Sequence, residues 1–112
     1  MNDEEFMTIL DQLKAYIDSE KTFIENPFRM AEFKKAIKIA AKLFPEAKIE
    51  VKDDPLQMGA MILHIEDYDI DITEIDPFVD LIRLANNWEI YPCQNGNVCL
   101  AAVFNNVLVR IS

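Results

Sequence analysis

The sequence contains very little glycine, because Gly59 and Gly96 are the two glycines among its 112 residues. Loops that bind phosphate need clustered glycines, since backbone N–H groups must approach the ligand without side chains in the way. Two glycines so far apart in the chain cannot form such a loop. Nucleotide-dependent enzymes of the P-loop and Rossmann kinds are therefore excluded.

Residues that act as nucleophiles or general bases are also scarce. His64 is the single histidine, and it lies between Leu63 and Ile65 in a strand-like segment, where a structural role is the commoner one. The two serines, Ser19 and Ser112, leave no credible Ser–His pair. We therefore predict that the protein is not an enzyme and uses no cofactor.

Cysteine is limited to Cys93 and Cys99. With the hairpin turn predicted below, the two side chains point to opposite faces and should not bond to each other within one chain. Their spacing is not CxxC, and a zinc site is not expected. We predict that both are reduced, partly buried apolar residues in a reducing compartment.

Basic residues are fewer than acidic ones, 11 against 20, and the net charge is −9. Residues 1–28 carry seven acids and two bases (−5), residues 29–52 carry three acids and seven bases (+4), and residues 53–112 carry ten acids and two bases (−8). Direct binding of nucleic acid is not expected, because phosphate contacts need clustered Lys and Arg. The fold could nevertheless present two faces of opposite charge.

The chain also lacks the features of a membrane or secreted protein. Its first residues, Met-Asn-Asp-Glu-Glu, are acidic, which is the reverse of a signal peptide. Residues 90–109 carry no charge, but Pro92, Asn95-Gly96 and Asn105-Asn106 divide them into pieces too short to span a bilayer. We expect a cytoplasmic protein with no membrane partner.

Hydrophobic residues make up 51% of the chain, enough for the core of one domain over residues 1–112. Helical spacing predicts a first helix over about residues 2–19. Asn26-Pro27 and Asp76-Pro77 each resemble an N-cap followed by proline at N1, and predict two further helices. The expected buried residues of the second helix are Met30, Phe33, Ile37, Ala40 and Phe44, and those of the third are Phe78, Leu81, Ile82 and Ala85.

Strands are predicted from alternation and turn signals. Residues 49–52 form a first short strand, and Met61, Leu63 and Ile65 mark the inward side of a second. Asn95-Gly96 is a strong signal for a two-residue type I′ hairpin, and Asn105-Asn106 is a weaker one. Together they predict a three-stranded C-terminal meander over 88–93, 98–104 and 107–112. In this register Tyr91 lies opposite Leu100, and Cys93 lies opposite Val98.

One face of this meander is assigned to the core, and its other face is too apolar for bare solvent. The second face holds Trp88, Ile90, Cys99, Val103 and Leu108. Either helices of the same chain cover this face or a second copy of the chain does, and burial within the chain is the first expectation. Trp88, Ile90, Val103 and Leu108 are accordingly candidate partner-binding residues.

A row of carboxylates is predicted between Tyr68 and Asp76. If this segment is a strand, Tyr68, Ile70 and Ile72 point inward, while Asp69, Asp71 and Thr73 point outward. The row is a solubilising surface, a divalent-cation site, or a surface that imitates phosphates and occupies a basic groove. We therefore name four acidic candidate partner-binding residues: Asp67, Asp69, Asp71 and Glu74.

These observations predict an α+β domain. It has two N-terminal helices, an antiparallel sheet of five or six strands with one inserted helix, and the C-terminal meander. The predicted function is a small acidic, non-catalytic protein–protein interaction module of the adaptor, chaperone or inhibitor type. The alternatives are a nucleic-acid mimic that inhibits a DNA- or RNA-binding protein, and a cone-like domain that binds a small ligand or is an enzyme, with His64, Trp88 and Tyr91 lining its pocket.

Overall fold

The computed structural model describes residues 3–19, 23–70 and 73–111. These residues form three α-helices and six strands, which confirms the α+β class and the antiparallel pairing. In chain order the elements are α1 (Asp3–Ser19), β1 (Phe23–Glu25), α2 (Pro27–Leu43), β2 (Lys48–Asp53), β3 (Met61–Asp67), α3 (Ile75–Leu84), β4 (Asn87–Pro92), β5 (Val98–Phe104) and β6 (Leu108–Arg110).

The strands form two separate sheets. The larger has the order β2-β3-β5-β4, and β1 pairs with β6 in a two-stranded ribbon. The predicted meander is therefore wrong in its third strand, since β3 and not β6 is the second neighbour of β5. After the turn that contains Asn106, Val107 O accepts a hydrogen bond from Asn26 N, and Leu108 N donates to Gly59 O. These two bonds hold the chain away from β5 and beside β1.

Gly59 allows β6 to approach this closely. Its φ is +80°, a conformation that L side chains rarely adopt. A Cβ at this position would overlap the carbonyl oxygen of Leu108. Glycine is therefore required here for both backbone conformation and space.

Helix α2 begins as predicted. The Asn26 side chain accepts a hydrogen bond from Phe28 N at 3.2 Å, and Pro27 occupies the first helical position. The predicted buried face is confirmed, with the addition of two alanines: Met30, Phe33, Ala36, Ile37, Ala40, Ala41 and Phe44 are buried. Phe33 packs edge-to-face on Phe104 of β5 with ring centroids 5.0 Å apart, and this contact joins the helices to the sheet.

Helix α3 begins earlier than predicted. Ile75 is its first residue, and Glu74 takes the N-cap position without a side-chain hydrogen bond to the helix. Asp76 is therefore inside the first turn and is not the cap. Leu81 is fully buried, as predicted, while Phe78 is only partly buried.

The strand predicted from Tyr68 onward does not form in the described residues. Strand β3 ends at Asp67, and Tyr68 is 79% exposed. The neighbours of β3 end at the same level, because Glu66 pairs with Lys48 and Asp67 pairs with Val98. A longer β3 would find no partner for its backbone groups. Asp71 and Ile72 lie outside the described residues.

The hairpin between β4 and β5 forms, but its register differs from the prediction by one residue. Its turn holds three residues, Gln94–Gly96, and is closed by a hydrogen bond from Cys93 N to Asn97 O. Tyr91 consequently pairs with Cys99 and not with Leu100. A shift of one residue turns every side chain of β4 to the other face.

Candidate functional site

The four-stranded sheet has one face that does not contribute to the core cluster shared with the helices. On the core side, Val51, Leu63, Leu100 and Ala102 are buried with residues of α1, α2 and α3. The residues that alternate with them point the other way and define what we term the open face. Its central members are Glu50, His64, Glu66, Tyr91, Cys99 and Ala101.

His64 and Tyr91 meet on the open face although their strands are not neighbours. Strand β5 lies between β3 and β4, so the two backbones are about 9–10 Å apart. His64 Nε2 and the Tyr91 hydroxyl are nevertheless 2.9 Å apart, within hydrogen-bond distance. The small side chains of Cys99 and Ala101 leave the space for this contact. Both are buried, at 1% and 7% exposure.

The electrostatics of the open face favour a neutral His64. Burial lowers the pKa of His64 below its ordinary value of 6.5, and the nearby positive charge of Lys52 lowers it further. The negative charge of Glu50, which lies directly opposite His64 on β2, raises the pKa of His64 and partly offsets these effects. A hydrogen bond from Lys48, whose Nζ is 2.9 Å from the carboxylate, lowers the pKa of Glu50.

Cys93 and Cys99 are bonded to each other, and the prediction that they would not bond is wrong. In the observed register, odd-numbered residues of β4 and β5 share a face, and the Cα atoms of the two cysteines are 5.9 Å apart. Cys99 is buried, whereas Cys93 is half-buried. Their Sγ atoms and one ring nitrogen of His64 all lie within 4.8 Å of one another.

Strand β4 forms a second notable feature, because it is the edge of the sheet. It pairs with β5 on one side, and all six of its residues are exposed. Three of them are large and hydrophobic: Trp88 at 43% exposure, Ile90 at 44% and Tyr91 at 36%. A six-residue edge strand with three apolar side chains and one charge is unusually well suited to pairing with another chain.

The predicted apolar face of the meander is divided by the observed register. Trp88 and Ile90 pair with Ala102 and Leu100 and so lie on the core side of the sheet, at its uncovered edge. Val103 is on the open face and is partly buried. Leu108 is buried in the core at 5% exposure, since β6 is not part of this sheet. These residues therefore do not form one surface.

The predicted row of carboxylates is not formed by the described residues. Asp67 ends β3, Asp69 is exposed in the loop that follows, and Glu74 precedes α3. No strand aligns these three side chains, and Asp71 lies outside the described residues. The pocket proposed for a cone-like fold is also not assembled as predicted, because His64 and Tyr91 share the open face while Trp88 lies on the other side.

The cluster of His64, Tyr91, Cys93 and Cys99 was not among the features predicted from the sequence. A three-residue turn between Cys93 and Asn97 would have predicted it, because such a turn puts Cys93, Cys99 and Tyr91 on one face. The signal for a two-residue turn, Asn95-Gly96, concealed this arrangement. In the structure Asn95 and Gly96 do adopt positive φ values of 64° and 76°, but Gln94 joins them in the turn.

Comparison of the chain with protein-family models, curated proteins and solved structures gave no match. Among the described residues, no helix has the length and apolar character needed to cross a membrane.

Proposed function

We propose that this domain is a non-catalytic protein-interaction module and that an extended segment of its partner adds to the outer edge of β4. The observation that supports the proposal is that all six residues of β4 are exposed at the edge of a four-stranded sheet. In this mode of recognition, backbone hydrogen bonds supply affinity and alternate side chains supply specificity.

The backbone of β4 offers donors and acceptors to such a segment. Cys93 N donates a hydrogen bond to Asn97 O, across the hairpin. The backbone N–H and C=O groups of the other odd-numbered residues of β4 therefore also point toward β5. By the alternation of an antiparallel ladder, the N–H and C=O groups of Trp88 and Ile90 point away from β5. Pro92 has no N–H and limits the usable edge at its C-terminal end.

The side chains of β4 give the edge two different sides. Trp88 and Ile90 lie on the side that faces the helices, and Tyr91 lies on the open face beside His64. A bound strand would place alternate side chains against each side. Apolar residues suit the side of Trp88, and a residue with a hydrogen-bonding group suits the side of Tyr91.

Charge limits the composition of the partner segment. Residues 53–112 carry ten acids and two bases, and Glu89 is the one charged residue of β4. A neutral or basic segment is therefore favoured over an acidic one. The excess negative charge also opposes association of two copies, although the same edge would allow a homodimer through antiparallel pairing of β4 with β4.

Site-specific photo-cross-linking in the native host tests this proposal. A photoreactive amino acid in place of Trp88 should form an adduct with one other protein. The same amino acid in place of Leu56, which is 95% exposed and apolar but distant in sequence from β4, is the matched control and should not form that adduct.

A pair of substitutions at Ile90 tests whether backbone hydrogen bonds of β4 contribute to partner binding. In the cross-linkable protein, Ile90→Pro removes an outward N–H and should lower the adduct yield at least tenfold, whereas Ile90→Ala keeps the N–H and should lower it less. Circular dichroism establishes that each variant is folded. The proposal would be overturned if the photoreactive amino acid at position 56 gave as much adduct as the one at position 88, or if position 88 gave no adduct. An adduct between two copies of the chain would replace the separate partner with self-association.

A further inference from the structure

The cluster of His64, Cys93 and Cys99 brings together one imidazole and two sulfur atoms at the rim of the open face. These are the donor types that bind zinc and other thiophilic ions in proteins. Among the described residues, this is the group of histidine, cysteine and acidic side chains close enough to share an ion. His64 lies on β3, Cys99 lies on β5, and Cys93 directly follows the last residue of β4. Pairing of β3 and β4 with β5, together with the hydrogen bond from Cys93 N to Asn97 O, sets their backbone positions.

We propose that the reduced protein binds one thiophilic divalent ion of the Zn²⁺ type through His64 and the thiolates of Cys93 and Cys99, and that formation of the Cys93–Cys99 disulfide releases the ion. The inference does not depend on the protein-interaction function proposed above. It differs from the expectation, based on cysteine spacing, that no zinc site exists, because the sheet brings together residues that are far apart in the chain.

The distances fit the ion. Zn–S bonds of about 2.3 Å and Zn–N bonds of about 2.0 Å place tetrahedral ligand atoms about 3.5–3.8 Å apart. The three ligand atoms here lie within 4.8 Å of one another, so side-chain rotation and cleavage of the S–S bond bring them into range. Three protein ligands leave the fourth position open to water.

Tyr91 would position the histidine. Its hydroxyl is 2.9 Å from His64 Nε2, which leaves Nδ1 as the nitrogen that turns toward the metal. A hydrogen bond to the second ring nitrogen fixes the orientation and tautomer of a metal-bound histidine. Glu66, paired with Cys99 on the adjacent strand, adds a carboxylate beside the site.

Release of the ion follows from thiol–disulfide exchange with a low-molecular-weight disulfide as the oxidant. The Cys93 thiolate attacks the oxidant, forms a mixed disulfide and expels one thiolate. The Cys99 thiolate then attacks Cys93 Sγ and expels the second thiolate. Two electrons pass from the protein to the oxidant, no proton is consumed, and the divalent ion leaves because the disulfide no longer supplies anionic sulfur. Cys93 reacts first because it is half-buried, whereas Cys99 is 1% exposed.

Titration of the reduced, full-length protein with Co²⁺ tests the proposal directly. Bound Co²⁺ should produce thiolate-to-cobalt charge-transfer absorption that saturates at one ion per chain and disappears when Zn²⁺ is added. Protein first oxidised with a low-molecular-weight disulfide should show no such absorption. A reduced protein that lacks the absorption, or an oxidised protein that retains it, would overturn the proposal.

Variants assign the ligands. Cys93→Ser should abolish the charge-transfer absorption, and His64→Gln should raise the Kd for Co²⁺ at least tenfold while leaving the fold intact. Tyr91→Phe should raise the Kd by a smaller factor. Asp80→Asn removes an exposed carboxylate of α3, a helix on the core side of the sheet; it is the control and should leave the Kd unchanged. If His64→Gln binds as tightly as the unmodified protein, the three-ligand site is wrong.

Discussion

At the scale of single residues, small side chains decide what the open face can do. Cys99 and Ala101 occupy β5 between the strands of His64 and Tyr91, and their small side chains leave room for those two to meet above β5. The same arrangement buries part of the His64 imidazole. Its protonation is therefore linked to folding, because the charged form loses hydration in the folded state.

We predict that the pKa of His64 in the oxidised, metal-free protein lies below 6.5 when measured by NMR titration. The unfolded chain then binds the proton more readily than the folded one. The contribution of neutral His64 to stability is complete above about pH 6.5 and is lost as the pH falls through that value toward the lower folded-state pKa.

His64→Gln is the control for this linkage, since glutamine is polar but does not titrate. Between about pH 5.5 and 7 the free energy of unfolding of this variant should change less with pH than that of the unmodified protein. A His64 pKa at or above 6.5 would contradict the prediction.

At the scale of the elements, caps and pairing partners determine where each segment begins and ends. Asn26 caps α2 with its side chain, while Glu74 stands at the equivalent position of α3 without a capping hydrogen bond. Strand β3 ends where its neighbours end, at the pairs Glu66–Lys48 and Asp67–Val98. The alternation of apolar and acidic residues after Tyr68 is therefore not enough to form a strand, because no neighbouring strand is there to pair with it.

The difference between the two caps leads to a paired prediction. Asn26→Ala should lower the free energy of unfolding by about 1 kcal/mol, because the N–H groups at the start of α2 lose their side-chain acceptor. Glu74→Ala should change it by less than about 0.5 kcal/mol, the usual range for an exposed position. Urea denaturation measures both, and equal losses would show that the Asn26 side chain does not act as a cap.

At the scale of the whole molecule, one hydrophobic core joins the helical layer to one face of the sheet. Its largest fully buried side chains are Phe33 of α2 and Phe104 of β5, which are in edge-to-face contact. The chain also carries aromatic residues outside this core. Phe28, in the first turn of α2, is 82% exposed.

Phe33 and Phe28 form a matched pair for testing this organisation. Phe33→Ala should lower the free energy of unfolding by about 3–5 kcal/mol, since it removes buried surface and leaves a cavity. Phe28→Ala should lower it by no more than about 0.5 kcal/mol. Thermal or urea denaturation distinguishes the two, and a comparable loss for both would place Phe28 in the core.

The sequence by itself determined the α+β class, helix α2 with its cap and buried face, and the inward side of β3. These features depend on residues close together in the chain, where side-chain periodicity and capping act directly. Only the tertiary structure decided that β3 pairs with β5, that Leu108 is buried, and that His64, Tyr91, Cys93 and Cys99 share a face. The physical reason is the two-residue period of a strand: one additional residue in the turn after Cys93 reverses the face of all of β4, and no local pattern records which strand lies beside another.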